Sequence, residues 1–118
     1  MRTALVAGLV ALLACAAPRA AAAEDLPEGV EQLMTCATVY SMRSDEAEEA
    51  GDPDSALEFF HMGDALRWQA RSTLEAEGYS PGLVEDVEMN FALMTGFNYG
   101  AGMGEQMLAD CLAAWDSP

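Results

Sequence analysis

Two cysteines, Cys36 and Cys111, stand near opposite ends of the chain beyond its N-terminal leader. A bond between them would close most of the chain into one loop. Such a bond would tie the first part of the domain to the last, so the pairing constrains the architecture more than any other feature. Whether the two cysteines pair depends on the compartment, and the compartment is read from the N-terminus.

The chain opens Met1-Arg2-Thr3 and continues with an apolar run from Ala4 to Ala17. Pro18, Arg19 and four alanines, Ala20 to Ala23, precede Glu24-Asp25. A short basic start, an apolar stretch and a small-residue A-x-A site describe a secretory signal peptide. The expected cleavage follows Ala23, giving a signal peptide at 1–23 and a single domain at 24–118. The apolar run is shorter than the roughly 20 residues that a spanning helix needs. A second reading stays open. Leu12-Leu13-Ala14-Cys15 has the form of a bacterial lipobox, in which Cys15 would carry lipid and begin the mature chain. Either way Cys15 is removed or capped, and Cys36 and Cys111 remain. The expected location is periplasmic or secreted, with a lipoprotein anchored through Cys15 as the alternative. In an oxidising compartment two lone cysteines of a small domain pair. A redox role would call for C-x-x-C or basic neighbours, and the sequence supplies neither.

All 20 acidic residues lie after residue 23, against three bases, Arg43, Arg67 and Arg71. The resulting net charge of −17 argues against nucleic acid and against an anionic membrane surface. It favours solubility, and among partners a basic envelope protein. No transmembrane segment is expected in the mature chain, and the oligomeric state is not readable.

Apolar residues recur at helical spacing after residue 28, with no strand-like alternation, so the expected class is all-α. Asp25 and Glu28 stand three apart as in a capping box, with Pro27 between them. Val30, Leu33, Met34, Ala37 and Tyr40 then share one face, with Cys36 beside it. Gly51 reads as a stop, and Asp52-Pro53 as the next start. In the second helix Phe59, Phe60, Gly63, Leu66, Ala70, Thr73 and Leu74 form the expected stripe, flanked by Trp68. Gly78 ends it. Ser80-Pro81 opens a third helix with Leu83, Val84, Val87, Phe91 and Met94 on its expected buried side. Four glycines between Gly96 and Gly104 predict a break or kink there, at a cost of about 1 kcal/mol each relative to Ala if the helix ran through. The last helix repeats Met103, Met107, Leu108, Cys111, Leu112 and Trp115. The expectation is a small disulfide-locked bundle of three to five helices, the bond tying the first helix to the last.

Chemistry-bearing residues are few. His61 is the single histidine, with Asp64 three residues on, but no nucleophile stands in a recognisable context around them. The acidic run from Asp45 to Asp54 lacks the alternating oxygens, central Gly and closing Glu of an EF-hand. The segment Gly100 to Gly104 has no preceding strand and no Lys, unlike a phosphate cradle. Seven methionines follow the leader, and thioethers bind Cu(I) in exported proteins, yet Met is also an ordinary core filler. No catalytic residue, metal ligand or cofactor is assigned.

The frame Cys36-Ala37-Thr38-Val39-Tyr40 with Asp110-Cys111-Leu112 resembles small exported two-cysteine helical proteins of proteobacteria. One such group, a helical periplasmic immunity family that blocks type VI secretion amidase effectors, has a similar C-x-x-x-Y opening and a late Cys. Helical acid-stress chaperones of the periplasm also carry two cysteines, across a shorter loop and on Lys-rich chains. The resemblance covers the two cysteine segments and transfers no functional residue. A small helical chain with one histidine and no nucleophile context is poor material for catalysis, so the expectation is a non-enzymatic binding protein of the cell envelope, whether inhibitor, immunity protein or chaperone-like. A small-ligand or metal carrier with a Met-rich helical core is the alternative.

Overall fold

The computed structural model describes residues 25–115. The expected signal peptide with cleavage after Ala23, and the alternative lipobox at Cys15, lie outside the described residues. Every regular element among them is helical. α1 spans Val30–Glu49, α2 Pro53–Ala76, α3 Pro81–Asn98 and α4 Gly104–Trp115, with a five-residue π-type turn, Tyr99–Met103, joining the last two. None of these helices is long and apolar enough to cross a membrane.

The helix boundaries follow from a repeated local device. Gly51 takes φ 78° and Gly78 φ 91°, a left-handed geometry that suits glycine. At each, two backbone bonds close a Schellman motif. Gly51 N–H donates to Glu48 C=O and Asp52 N–H to Ala47 C=O, while Gly78 N–H donates to Glu75 C=O and Tyr79 N–H to Leu74 C=O. The next helix starts at once. The Asp52 carboxylate accepts from Ser55 N–H at 3.3 Å, and the Ser80 hydroxyl accepts from Leu83 N–H at 3.3 Å. Pro53 and Pro81 fill the first helical positions, where a missing N–H costs nothing. Links this short return each helix beside its predecessor.

The start of α1 differs from the expectation. The Asp25–Glu28 capping box does not form. Gly29 occupies the N-cap in the left-handed region at φ 88°, with no side-chain cap. Val30 N–H donates instead to Pro27 C=O, so a turn and not a carboxylate launches the helix.

α1 is the spine, in contact with each of the other three helices. Its Val30, Val39 and Tyr40 are almost wholly enclosed, together with Leu33, Met34, Cys36 and Ala37. Full burial of side chains of this size stabilises by about 1.5–3 kcal/mol each. Against them α2 sets Leu66, Ala70 and Leu74, α3 sets Val84, Val87 and Phe91, and α4 sets Leu108. The α1–α2 pair is tight because Gly63 lets the backbones approach. A Cβ at that position would lie 3.0 Å from the Ala37 carbonyl oxygen. Further along, Tyr40 and Phe59 stack at 6.0 Å, and the buried Ser44 hydroxyl donates to Ala56 C=O at 2.6 Å.

The predicted break falls at Gly102, whose φ of 104° is outside any helix. It turns the chain so that α4 returns to α1. The Cys36–Cys111 disulfide forms there, with 5.6 Å between the Cα atoms and a sequence separation of 75. The all-α, disulfide-locked bundle is therefore as expected. Several stripe assignments are not. Phe60, Leu83, Met94, Met103 and Trp115 are exposed. Only Val84, Val87, Phe91 and Thr95 of α3 are buried, and only Leu108 and Cys111 of α4.

Two outcomes test this packing. Reduction of the disulfide should lower the free energy of unfolding in denaturant titrations by about 4–5 kcal/mol, the chain-entropy value for so long a loop. Gly63→Val should cost about 1–3 kcal/mol by overpacking the α1–α2 contact, read as a lower thermal midpoint with the far-ultraviolet spectrum retained.

Candidate binding surface

The residues singled out for chemistry do not converge. His61 is exposed on α2, its ring 5.7 Å from that of Phe60 in an edge-on arrangement, and Asp64 is exposed as well. Among the described residues no group of three His, Cys, Asp or Glu side chains is placed to hold a metal ion. The methionines are dispersed. Met34 is buried, Met42, Met62 and Met107 sit at the core's margin, and Met89, Met94 and Met103 face solvent.

What the structure does assemble is an apolar ridge. From Met89 to Gly104 the chain runs sixteen residues without a charged side chain. The helical part of that run has a core side and a second apolar side. Phe91 is 8 % exposed, whereas Leu93 is 68 % and Phe97 77 % exposed. Met89, Leu93 and Phe97 stand at i, i+4 and i+8, a spacing that stacks side chains in one row on a helix surface. Met94 adds to one flank and is half exposed. Single exposed apolar residues need no explanation, but a contiguous row does.

The ridge is fixed at both ends. The Ser80 cap and Pro81 hold its N-terminal end. At the other end Tyr99 turns inward, 8 % exposed, beneath Gly104. A Cβ at Gly104 would lie 3.0–3.2 Å from the Tyr99 ring, so glycine is what lets α4 begin there. The phenol faces Glu46 and Arg43 of α1. Arg43 bridges Glu46 at 3.2 Å and Glu105 of α4 at 3.1 Å. Hydrogen bonding toward Tyr99, opposed by burial, raises the guanidinium's pKa. Burial, with Glu46 beside it, raises the Tyr99 pKa above the ordinary phenol value, and Arg43 opposes that rise. On the other flank Arg71 Nε of α2 meets Glu88 Oε1 of α3 at 3.0 Å.

Acidic groups frame the N-terminal end of the ridge. Asp86 lies on the same face, three residues before Met89, and Glu85 adjoins it; both are exposed. A groove of about 280 Å³ opens alongside, lined by Glu85, Glu88 and Met89 of α3, with Arg67 of α2 and Met34 of α1 among its other walls. A thinner apolar stripe, Leu57, Phe60 and Trp68, runs along the outside of α2, but His61 and Asp64 interrupt it.

Sequence reasoning missed the ridge because it assigned α3 one apolar side and left Met89, Leu93 and Phe97 without a place. The signal was present. An uncharged run of this length, in a chain carrying 20 acidic residues, is apolar around the helix rather than along one stripe.

No family model, curated protein or solved structure matches this chain.

The Tyr99 junction has a pH signature. A folded-state pKa above the unfolded one gives stability that is complete below the unfolded phenol pKa of about 10 and is lost as pH rises through the folded value. Tyr99→Phe should therefore flatten the alkaline loss of stability above about pH 10, measured by denaturant midpoints across pH. An unchanged alkaline profile would place that loss elsewhere.

Proposed function

We propose that the protein is an exported, non-enzymatic binding protein of the cell envelope that engages its partner through the outer face of α3. The observation that carries this reading is the ridge of Met89, Leu93 and Phe97, solvent-facing and uncharged on a chain otherwise dense with carboxylates. An isolated apolar ridge of this kind marks an interaction site. Export is supported by the signal-like N-terminus and by a disulfide that belongs in an oxidising compartment. Binding is preferred over catalysis because the lone histidine is exposed and its acidic neighbour faces solvent with it. It is preferred over a Met-based carrier because the thioethers are split between core and surface. An inhibitor, an immunity protein and a chaperone-like protein all fall within this reading.

The test is site-specific photo-crosslinking in the native host's envelope, with a photoreactive residue replacing Leu93, Phe97, Trp68 or Glu77 in turn. A discrete adduct from Leu93 and Phe97, and none from Glu77, is the expected pattern. Adducts from Trp68 alone would move the interface to α2, and absence of adducts at every position would end the binding reading.

A further inference from the structure

We propose that the occupant of the α3 ridge is an amphipathic helical segment of another protein, its apolar stripe flanked by basic residues. This rests on the binding reading above and adds the chemistry of the partner.

Shape is the first argument. A straight i, i+4, i+8 row on a rigid helix, with a groove beside it at Met89, is the surface that another helix packs against ridge into groove. Irregular or extended segments find no free sheet edge among the described residues, where every element is helical.

Charge is the second argument. Glu85 and Asp86, both exposed, stand at the end of the ridge. In the adjoining groove Glu88 is held by Arg71 and Arg67 forms another wall, so the negative charge offered to a partner comes from Glu85 and Asp86. Two of the three arginines are already committed, Arg43 to Glu46 and Glu105, and Arg71 to Glu88. The mature chain therefore offers an apolar strip inside a strongly negative field. Lys or Arg side chains bordering a partner's apolar stripe complement that field and speed its approach.

Area and charge together argue against the simplest competitor, a second copy of this chain. The four exposed ridge side chains present on the order of 500 Å² of apolar surface, the scale of one large patch on a monomer. A stable dimer buries about 800 Å² per partner. The remainder would have to come from acidic surface pressed against acidic surface. An anionic lipid surface meets the same repulsion.

The experiment uses mature 24–118 with its disulfide formed, and a synthetic peptide of Leu and Lys, about four helical turns long, with leucines on one face. Binding is followed by calorimetry at low and at about 150 mM salt. Two comparisons keep charge constant. One is the protein variant Leu93→Ser/Phe97→Ser, and the other is a peptide in which Ser replaces Leu while every Lys stays. Both substituted side chains are exposed, and circular dichroism checks that the variant remains folded. The expected result is saturable one-to-one binding that weakens at higher salt and falls about tenfold or more with either comparison, an energy difference of one decade in affinity.

Equal binding by wild type and variant would reduce the effect to general acidity and overturn the proposal. So would equal binding of a Leu/Glu peptide, which would remove the charge argument. A dimer seen in sedimentation and abolished by the Ser substitutions would give the ridge to a second copy. Sedimentation with phosphatidylcholine vesicles, lost in the variant and unaffected by the peptide, would give it to a lipid surface. Crosslinks at Leu93 and Phe97 in the envelope alongside a peptide that does not bind would leave the binding reading standing and remove only the partner's chemistry.

Discussion

The Cys36–Cys111 bond holds a helix that has little else to hold it. α4 buries only Leu108 and Cys111, with Met107 and Leu112 at the margin of the core. Its polar tie to α1 is the Arg43–Glu105 pair, in which Glu105 is largely exposed and the contribution is small. Two buried residues do not offset the backbone and side-chain entropy lost when twelve residues are ordered. The disulfide changes that balance by restricting the unfolded chain, and its two ends lie where this matters most, in α1 and in the last helix. Everything between them is therefore folded within a closed loop, and the remaining packing has less disorder to overcome.

The charge distribution imposes a second condition. A domain this small has a modest core and a large surface fraction. Its net charge works against compaction through self-repulsion. The carboxylates are mostly placed at solvent, where water screens them, and those that approach the helix contacts do so beside an arginine. Arg43 sits between Glu46 and Glu105, and Arg71 beside Glu88. Of the three arginines after residue 23, two sit at junctions between helices. Like charge on every copy also opposes association through the apolar ridge on α3.

Punctuation was the most legible part of the chain. Gly51-Asp52-Pro53 and Gly78 through Ser80-Pro81 each encode a stop and a start in a few residues, and the structure uses them as written, because left-handed glycine and capping are decided locally. The α1 start was not legible for the same kind of reason. Gly29 sits between the would-be capping box and the helix, and its left-handed backbone removes Glu28 from the first turn. Burial was fully legible where a helix has neighbours on more than one side, and in part elsewhere: Val84, Val87 and Phe91 of α3 and Leu66, Ala70 and Leu74 of α2 are buried as read. α1 has such neighbours, and every residue assigned to its face is buried. α3 packs on one side, so periodicity that named Leu83 and Met94 as core could not choose between its two apolar sides. The disulfide was legible because two lone cysteines and the expectation of an oxidising compartment sufficed. The ridge was not, since it is defined by which neighbours α3 lacks.

That lack is what makes α3 suited to binding. Val84, Val87 and Phe91 anchor one side of the helix to α1, and the Ser80 cap and the Tyr99 turn fix its two ends. The backbone that carries the outward row of Met89, Leu93 and Phe97 is therefore ordered before any partner arrives, and its entropy has already been lost in folding. A partner meeting a row on an already ordered backbone is spared the ordering of that backbone, which raises affinity for a given buried area. Had these side chains been carried on the glycine-rich turn, the same atoms would have had to be ordered at the moment of binding. The break at Gly102 thus has a role beyond redirecting the chain. It falls five residues beyond Phe97, past the end of α3, so the apolar row stands on uninterrupted helix even though Gly96 lies within that helix.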